Sequence, residues 1–496
     1  KQRKHMKKSI FATLNLLLVS LTLLAQKKTN VIYIYADDLG YGELGVYGQQ
    51  KIKTPFLDAM AKEGIRFTNH YTSAPVCAPA RCMLMTGQHA GHSYIRGNYE
   101  LGGFKDDKEG GQMPLPENTF TIAKLMKSAG YQTALVGKWG LGMNNTTGDP
   151  NLHGFDYYYG FLDQKQAHNL YPTHLWENGK WDTLRNTYQL VHEYQNKKIS
   201  IDSIDFEKFK GKDYAATKMM EKALAFIQKN QKNPFFLYLP LPLPHLSLQA
   251  PEEEILAYQG KFPETIYTSM KGGYVPTKYP RATYAAMITY LDKQVGRIIE
   301  TLKKYQIDEN TLIMFSSDNG ATFDVGGVDT QFFNSVAGLR GRKQDLYEGG
   351  IREPMMARWP GKIKPGQTTD HPSAQFDVMA TLADLTGAKI PVKTDGISFL
   401  PTLLGKAQAK HPFIYFEFPE KSGQVAVRIG NFKGVKSNMK KNKLAPWELY
   451  DLSKDPYEQN DIAQVNPDLI KKMDEIAKKQ HRPSHVKEWE FVDPKF

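Results

Sequence analysis

Cys77 is the residue whose setting points most clearly to chemistry. It precedes Pro79 by two positions and Arg81 by four, in a stretch that ends at Gly87. Proline suits the first turn of a helix and glycine its end, so the spacing predicts a short helix with Cys77 at its N-terminus. Unpaired amides and the positive end of the helix dipole lie there, and Arg81 projects from the same face. The arrangement predicts an oxyanion site; the alternative is a structural cysteine beside a surface arginine.

Carboxylates follow two of the most apolar segments of the chain. One β-rich run leads into Asp37 and Asp38, and another leads into Asp318 and Asn319. Adjacent carboxylates at a strand end are costly unless a cation neutralises them, although surface turns also use Asp and Gly. Carboxylate and amide oxygens favour Ca²⁺ or Mg²⁺ over zinc. These residues therefore predict a hard-cation site.

Three basic side chains occupy comparable positions. Lys138 follows a predicted strand at residues 133–136, His245 follows another at residues 235–239, and Lys343 lies in a loop rich in glycine and charge. Ligands of open α/β sheets bind outside the carboxyl ends of the strands, so these groups are expected to converge on one edge. The alternatives are solvated lysines and a structural histidine.

Helices and strands alternate over most of the chain. Apolar stripes predict helices between the strand-like runs, at residues 54–64, 118–130, 214–229 and 282–304. The alternation predicts an α/β fold with a large, mainly parallel sheet sandwiched by helices. Residues 152–211 are polar and aromatic with weak periodicity, and they are predicted to be an insertion of loops that lines a substrate cleft or covers the sheet.

The chain is predicted to have three parts. Residues 1–26 combine a basic head, a short apolar run and a small residue, which is typical of a signal peptide; a retained N-terminal anchor is the alternative. Residues 27–405 form the large α/β domain. Residues 406–496 change to short antiparallel strands and a final helix, a smaller α+β domain. This organisation predicts an exported bacterial protein, periplasmic or secreted, without stable membrane insertion.

Composition and charge limit the classes of substrate and partner that the sequence favours. The formal net charge of +12 favours anionic substrates without establishing them. No nucleic-acid motif or concentrated basic helix is present in the sequence, so nucleic acid is not an expected partner. The two cysteines, Cys77 and Cys82, cannot build a disulfide framework.

The motifs together resemble one family. Cys77-x-Pro79-x-Arg81, followed by Leu84-x-Thr86-Gly87, resembles the signature of the type I, formylglycine-dependent sulfatases of the alkaline phosphatase superfamily. Further segments look like landmarks of that family in their usual order: Asp37-Asp38, Gly137-Lys138-Trp139, Asp318-Asn319, Gly341-Arg342-Lys343 and Leu449-Tyr450-Asp451-Leu452. The resemblance covers nearly the whole chain after the predicted signal peptide.

The resemblance implies a set of roles. Cys77 would be converted to Cα-formylglycine by a formylglycine-generating or anaerobic sulfatase-maturating enzyme. One Ca²⁺ ion would be bound by the modified Cys77 and by Asp37, Asp38, Asp318 and Asn319. Arg81 would hold the oxygens of the modified residue. Lys138, Lys343 and His245 would contact the sulfate and the leaving oxygen.

The implied activity is hydrolysis of carbohydrate sulfate monoesters by S–O cleavage, with His245 protonating the leaving alcohol. A phosphomonoesterase or phosphodiesterase on the same fold is the first alternative, and an inactive glycan-binding relative is the second. A carbohydrate is preferred over a steroid or simple aryl sulfate because the sequence shows no strongly apolar hairpin. Three polar residues could read the sugar or serve the structure: Arg96, Gln166 and His168.

The chain departs from the family at one position. Many relatives have histidine two residues after the lysine of the Gly-Lys-Trp turn, where this chain has Gly140. The contact made by that histidine is therefore missing or supplied elsewhere.

Overall fold

The computed structural model describes residues 28–103, 105–270 and 272–492, so the predicted signal peptide lies outside the described residues. The strands are β1 Asn30–Ala36, β2 Ile65–Tyr71, β3 Glu100–Gly102, β4 Glu109–Gln112, β5 Gln132–Lys138, β6 Tyr157–Phe161, β7 His174–Glu177, β8 Lys180–Thr183, β9 Phe235–Pro240, β10 Thr311–Ser317, β11 Arg352–Arg358, β12 Gln367–Thr369, β13 Ser373–Ala374, β14 Ile414–Phe418, β15 Gln424–Ile429, β16 Phe432–Lys436 and β17 Glu448–Asp451. The α-helices are α1 Pro55–Lys62, α2 Cys77–Thr86, α3 Ile122–Ser128, α4 Ala215–Asn230, α5 Glu252–Leu256, α6 Pro280–Lys304, α7 Glu348–Ile351, α8 Asp377–Thr386, α9 Leu400–Leu403 and α10 Pro467–Gln480.

An 11-stranded sheet forms the body of the protein, in the order β12-β2-β11-β10-β1-β9-β5-β6-β7-β8, with β13 beside β2. The five central strands, from β10 to β6, run parallel to one another. Antiparallel strands β11 and β7 flank them. The predicted large, mainly parallel sheet is therefore confirmed, and the carboxyl ends of its central strands lie at one edge.

Strand β1 shows how the sheet is buried on both faces. Ile32 and Ile34 point into a core that includes residues of α1, α4 and α6, whereas Tyr33 and Tyr35 point into a second core with residues of α2, α3 and α8. Successive side chains of a strand face opposite ways, so a continuous apolar run suits a strand covered by helices on both sides. The sandwich of helices around the sheet is confirmed.

Residues 152–211 are more ordered than predicted. They contain β6, β7 and β8, which extend the main sheet. Strand β6 pairs parallel with β5, β7 pairs antiparallel with β6, and β8 pairs antiparallel with β7. The prediction of an insertion of loops is therefore wrong for this part. These strands are only four or five residues long, too short to show a clear alternation, which explains why the sequence pattern did not reveal them.

A four-stranded antiparallel sheet, β14-β15-β16-β17, forms the smaller C-terminal part, and α10 packs on β15. The predicted smaller α+β unit is confirmed, and its boundary at residues 405/406 remains a prediction. Among the described helices, none combines the length and the apolar character that crossing a membrane requires.

One ion pair next to this boundary gives a pH-dependent prediction. His411 Nε2 lies 2.9 Å from Asp377 Oδ1, and both side chains are buried. Burial alone would lower the pKa of His411, but the Asp377 carboxylate outweighs burial and raises it. Because the pKa of His411 is raised in the folded state, protonation of His411 contributes its full stabilisation below the unfolded pKa of about 6.5. This stabilisation is lost as pH rises through the folded pKa.

We therefore expect His411→Gln to lower the free energy of unfolding by about 1–3 kcal/mol near pH 6 and by a smaller margin near pH 9. Urea unfolding of both proteins across this range measures the margin. A margin that is constant with pH, or grows as pH rises, would contradict the role given to this pair.

Candidate active site

Cys77 lies at the start of α2, as predicted. Val76 is extended before the helix, and Gly87 ends it with a left-handed φ of 67°. The side chain is buried, and the thiol donates to Asp37 Oδ1 over 3.4 Å and to Asn319 Oδ1 over 3.7 Å. Burial raises the pKa of the Cys77 thiol well above its usual value, which outweighs the opposing effect of Lys138 and Lys343. Cys77 is therefore a neutral thiol and a poor thiolate nucleophile.

The carboxylates come from two adjacent strands. Asp37 and Asp38 follow β1, and Asp318 and Asn319 follow β10, with Ala36 opposite Ser317 in the register. Asp38 has a left-handed φ of 65°, and its backbone N–H donates to Asp318 Oδ1 over 3.1 Å. The Asn319 amide donates to Asp38 Oδ1 over 2.7 Å. The structure thus brings all four predicted oxygen ligands together.

Three buried cations balance three buried carboxylates. Lys138 Nζ lies 2.6 Å from Asp37 Oδ2, and Lys343 Nζ lies 2.7 Å from Asp38 Oδ1. Arg81 Nη2 lies 2.8 Å from Asp318 Oδ2 and 3.5 Å from Asp37 Oδ2. A divalent cation added to this balanced centre would leave it positive overall, which suits an anionic substrate.

The pKa shifts of the carboxyls differ. Burial would raise the pKa of Asp37 and Asp38, but Lys138 next to Asp37 and Lys343 next to Asp38 lower both. Burial and the neighbouring charge of Asp37 raise the pKa of Asp318 to about 7. Crowded carboxyls of this kind are stabilised by a further cation.

The donor atoms fit a hard cation. One ligand atom each from Asp37, Asp38, Cys77 and His245 lie within 4.8 Å of one another. Asn319 Oδ1 adds an amide oxygen beside the Cys77 sulfur. Carboxylate and amide oxygens in this number suit Ca²⁺ or Mg²⁺. The residues present are therefore compatible with the metal implied by the sequence.

His245 lies against this centre. Its Nε2 is 3.7 Å from Asp38 Oδ2, and its Nδ1 is 2.6 Å from the Leu246 carbonyl oxygen. Nδ1–H donates to that carbonyl, so Nε2 faces the carboxylates. Burial lowers the pKa of His245 to about 4, and the Asp38 carboxylate offsets only part of this effect.

Three aromatic side chains, His168, His192 and Tyr274, form a wall beside His245. The ring of His168 stacks on His245 with centroids 5.2 Å apart and planes at 19°. His192 Nε2 lies 3.4 Å from His168 Nδ1, and the Tyr274 ring centroid lies 5.4 Å from those of both His168 and His192. Sequence reasoning missed His192 and Tyr274 because both lie in segments without a motif or a clear period.

The other two predicted substrate residues are bound within the protein. Arg96 is buried, pairs with Glu417 Oε1 over 2.9 Å and donates to three backbone carbonyls. Its predicted substrate contact is therefore corrected to a structural link between the segment after α2 and the C-terminal sheet. Gln166 is also buried, and its amide donates to the carbonyls of Gly103 and Lys105 over 3.2 Å each. It holds the β3–β4 hairpin against the segment after β6.

Replacement of Arg81 by methionine is expected to lower the free energy of unfolding by about 3–5 kcal/mol, because two buried carboxylates lose their shared partner. Arg81 is 1% exposed and also donates to the Lys138 carbonyl over 2.7 Å. Urea unfolding measures the change. The matched control is Arg185→Met, because Arg185 is an exposed arginine that pairs with Asp213. Its replacement should change the urea midpoint of unfolding little. Equal midpoints for Arg81→Met and the wild type would contradict the prediction.

The chain is similar to known proteins over most of its length. Residues 29–388 match the protein-family model described as Sulfatase, and residues 342–482 match the one described as N-sulphoglucosamine sulphohydrolase, C-terminal. An N-acetylgalactosamine-6-O-sulfatase from Bacteroides thetaiotaomicron is 30% identical over 510 residues, covering 91% of this chain and 92% of that protein. A steryl-sulfatase from Rattus norvegicus is 29% identical over 459 residues, covering 82% of this chain and 76% of that protein.

A solved structure extends the likeness to three dimensions. The crystal structure of Ps i-CgsB in complex with k-i-k-neocarrahexaose superposes with a TM-score of 0.72 at 29% sequence identity. The match covers 93% of this chain and 96% of that chain.

Proposed function

Since the chain belongs to the sulfatase family of sulfuric ester hydrolases, we propose that it hydrolyses sulfate monoesters of a carbohydrate by S–O cleavage. Cys77 is proposed to be the precursor of formylglycine, and Asp37, Asp38, Asp318 and Asn319 are proposed to bind Ca²⁺ with it. The observation that carries the proposal is the convergence of these five residues with three buried cations.

The chemistry divides between the implied groups and the chain. When present, the divalent cation would supply positive charge against sulfate oxygens, and the hydrated aldehyde of formylglycine, a geminal diol, would supply a hydroxyl as the nucleophile. Arg81, Lys138 and Lys343 hold the carboxylates in place and add positive charge around the reacting sulfur. Preorganised charge of this kind favours a transition state in which charge moves onto oxygen.

His245 is proposed to give a proton to the leaving oxygen. In the structure its ring is neutral near pH 7, because burial lowers its pKa to about 4. An anionic ester beside Nε2 favours the protonated ring, and the stack on His168 fixes the plane of the imidazole. A sugar alkoxide is a poor leaving group, so protonation at this position assists its departure.

Two kinds of observation, the named relatives and the wall beside His245, support a carbohydrate sulfate as the substrate. The Bacteroides relative is named for N-acetylgalactosamine 6-O-sulfate, and the Ps i-CgsB structure holds a neocarrahexaose, although the rat relative is a steryl-sulfatase. The wall beside His245 is aromatic and polar, through His168, His192 and Tyr274. Such a wall suits a sugar ring, which offers both apolar faces and hydroxyls. His168 is the predicted substrate residue that lies in this wall.

A screen of sulfated mono- and disaccharides, with released sulfate as the signal, tests the proposal. We expect turnover of at least one saccharide, and 4-nitrophenyl sulfate to be hydrolysed well above 4-nitrophenyl phosphate. A preference for the phosphate would support a phosphoesterase on the same fold. Saccharide binding without sulfate release, after maturation of Cys77 is confirmed, would support the inactive glycan-binding alternative.

Export and maturation complete the proposal. The pattern of residues 1–26 supports export to the periplasm or the medium of a bacterium, and Cys77-x-Pro79-x-Arg81 supports recognition by a formylglycine-generating or anaerobic sulfatase-maturating enzyme. N-terminal sequencing of protein recovered from the periplasm tests the first statement. Cleavage near residue 26 is expected, and an intact N-terminus would contradict it.

A further inference from the structure

Gln164 has a buried side-chain amide that the proposed mechanism does not use. It follows β6, whose Phe161 pairs with Lys138 of β5. Beyond this pair the two segments continue side by side, since the Gly140 N–H donates to the Leu162 carbonyl over 3.2 Å. Gln164 therefore lies at the carboxyl edge of the sheet, where ligands of α/β folds bind.

The side chain of Gln164 fills the space next to Gly140. A Cβ at position 140 would lie 2.7 Å from Gln164 Cγ and 2.8 Å from Cδ, closer than these atoms can approach. Gly140 also has a left-handed φ of 72°. The glycine thus makes room for Gln164 two residues beyond Lys138, at the place where the sequence departs from the family.

Two side-chain amides at this place each have one atom without a hydrogen-bond partner. Among the described residues, Gln164 Oε1 and Gln112 Nε2 are buried without a hydrogen-bond partner, although Gln112 Oε1 accepts from the Gln164 N–H over 3.0 Å. A buried polar atom without a partner destabilises the fold, because it loses its hydrogen bonds to water and gains none in exchange. An unsatisfied acceptor and an unsatisfied donor on neighbouring side chains are complementary to a hydroxyl, which donates and accepts.

The pair is held in place from both sides. The Asp163 carboxylate accepts from the Gly111 N–H over 2.8 Å and from the Lys165 N–H over 2.7 Å, which fixes the residues adjacent to Gln112 and Gln164. Four residues after Gln164, His168 stacks on His245. The segment 163–168 therefore passes from the Lys138 side of the centre to the His245 side.

We propose that Gln164 and Gln112 form a subsite that binds a hydroxyl of the saccharide, close to the carbon that carries the sulfate. The inference rests on the proposed function. It assigns Gln164 to substrate recognition, so removal of its amide should weaken the reaction of a saccharide sulfate more than that of an aryl sulfate without sugar hydroxyls.

The test uses Gln164→Met, which keeps the side-chain volume and removes the amide. The measured quantity is the ratio of kcat/KM for the best saccharide of the screen to kcat/KM for 4-nitrophenyl sulfate. We expect this ratio to fall about tenfold to a hundredfold. Gln112→Met should lower the same ratio and serves as the second variant if the first does not fold.

The matched control is Gln294→Met, because Gln294 is also buried but bonds to Tyr290 and Arg297 within α6. Its ratio should equal that of the wild type. An unchanged ratio in both Gln164→Met and Gln112→Met would overturn the inference and indicate that the pair holds only a water molecule. A wild type that releases sulfate from no saccharide would instead overturn the proposed function, and the inference with it.

Discussion

Cys77→Ala is expected to abolish sulfate ester hydrolysis while leaving the fold intact. The side chain is buried among groups that bind oxygen and charge, and Asp37 and Asn319 accept from its thiol. Its raised pKa disfavours a thiolate at neutral pH, so the proposed chemistry assigns the activity to the modified residue. Loss of a nucleophile that acts with its neighbours as a unit costs about 10⁴–10⁶-fold in kcat. Sulfate release from 4-nitrophenyl sulfate measures the loss, with circular dichroism as the check on folding.

Mass spectrometry of the Cys77 peptide distinguishes a requirement for Cys77 itself from a requirement for its modification. The active wild type should carry formylglycine at position 77, in proportion to its specific activity. Cys82→Ala is the matched control, because Cys82 is buried on the same helix and its sulfur accepts from the Ser93 hydroxyl over 3.4 Å. It should keep wild-type activity. Full activity in protein whose Cys77 is unmodified would refute the proposed chemistry.

Removal of the cation is expected to have the second largest effect. Dialysis against a chelator should lower kcat/KM by at least about 10³-fold, since a Lewis acid at this position contributes several kcal/mol. Added Ca²⁺ should restore activity. It should also raise the free energy of unfolding, by about 2.7 kcal/mol at a concentration one hundred times Kd. Thermal unfolding with increasing Ca²⁺ measures this second effect.

Asp318→Asn tests whether the effect arises at the described carboxylates. The variant removes one charge of the proposed ligand set, so it should need a higher Ca²⁺ concentration for half-maximal activity. Asp292→Asn is the matched control, since Asp292 is a buried carboxyl of raised pKa that accepts from the Phe56 and Leu57 backbone at α1. It should leave the Ca²⁺ requirement unchanged. Activity in the chelated wild type would exclude an essential cation.

The centre could be predicted because its residues follow from a simple rule of α/β sheets. The apolar runs before Asp37 and Asp318 predict buried parallel strands, and adjacent parallel strands deliver their next residues to the same edge. The structure pairs Ala36 with Ser317, so Asp37-Asp38 and Asp318-Asn319 meet as expected. Cys77 could be placed for a similar reason, because Pro79 and Gly87 delimit a helix by local conformational preference.

The surroundings of the centre could not be predicted in this way. Arg96 looks like a substrate residue until its partner is known, and that partner, Glu417, lies 321 residues further along the chain. Gln164 and His192 occupy stretches without periodicity, where neither strand ends nor helix faces predict a direction. Contacts of this kind depend on how loops pack, and loop packing leaves little trace in local sequence pattern.

The burial of Cys77 limits the stage of folding at which this residue could be modified. In the folded chain the thiol is enclosed by segments that lie 40 and 242 residues away in sequence, and only 3% of the residue reaches solvent. An enzyme that modifies Cys77, as proposed, needs access to this thiol, which its burial in the folded chain denies. The proposed oxidation of Cys77 is therefore expected to precede the closure of these segments around the thiol. Fast folding would compete with maturation, and a chain that closes too early would remain permanently inactive.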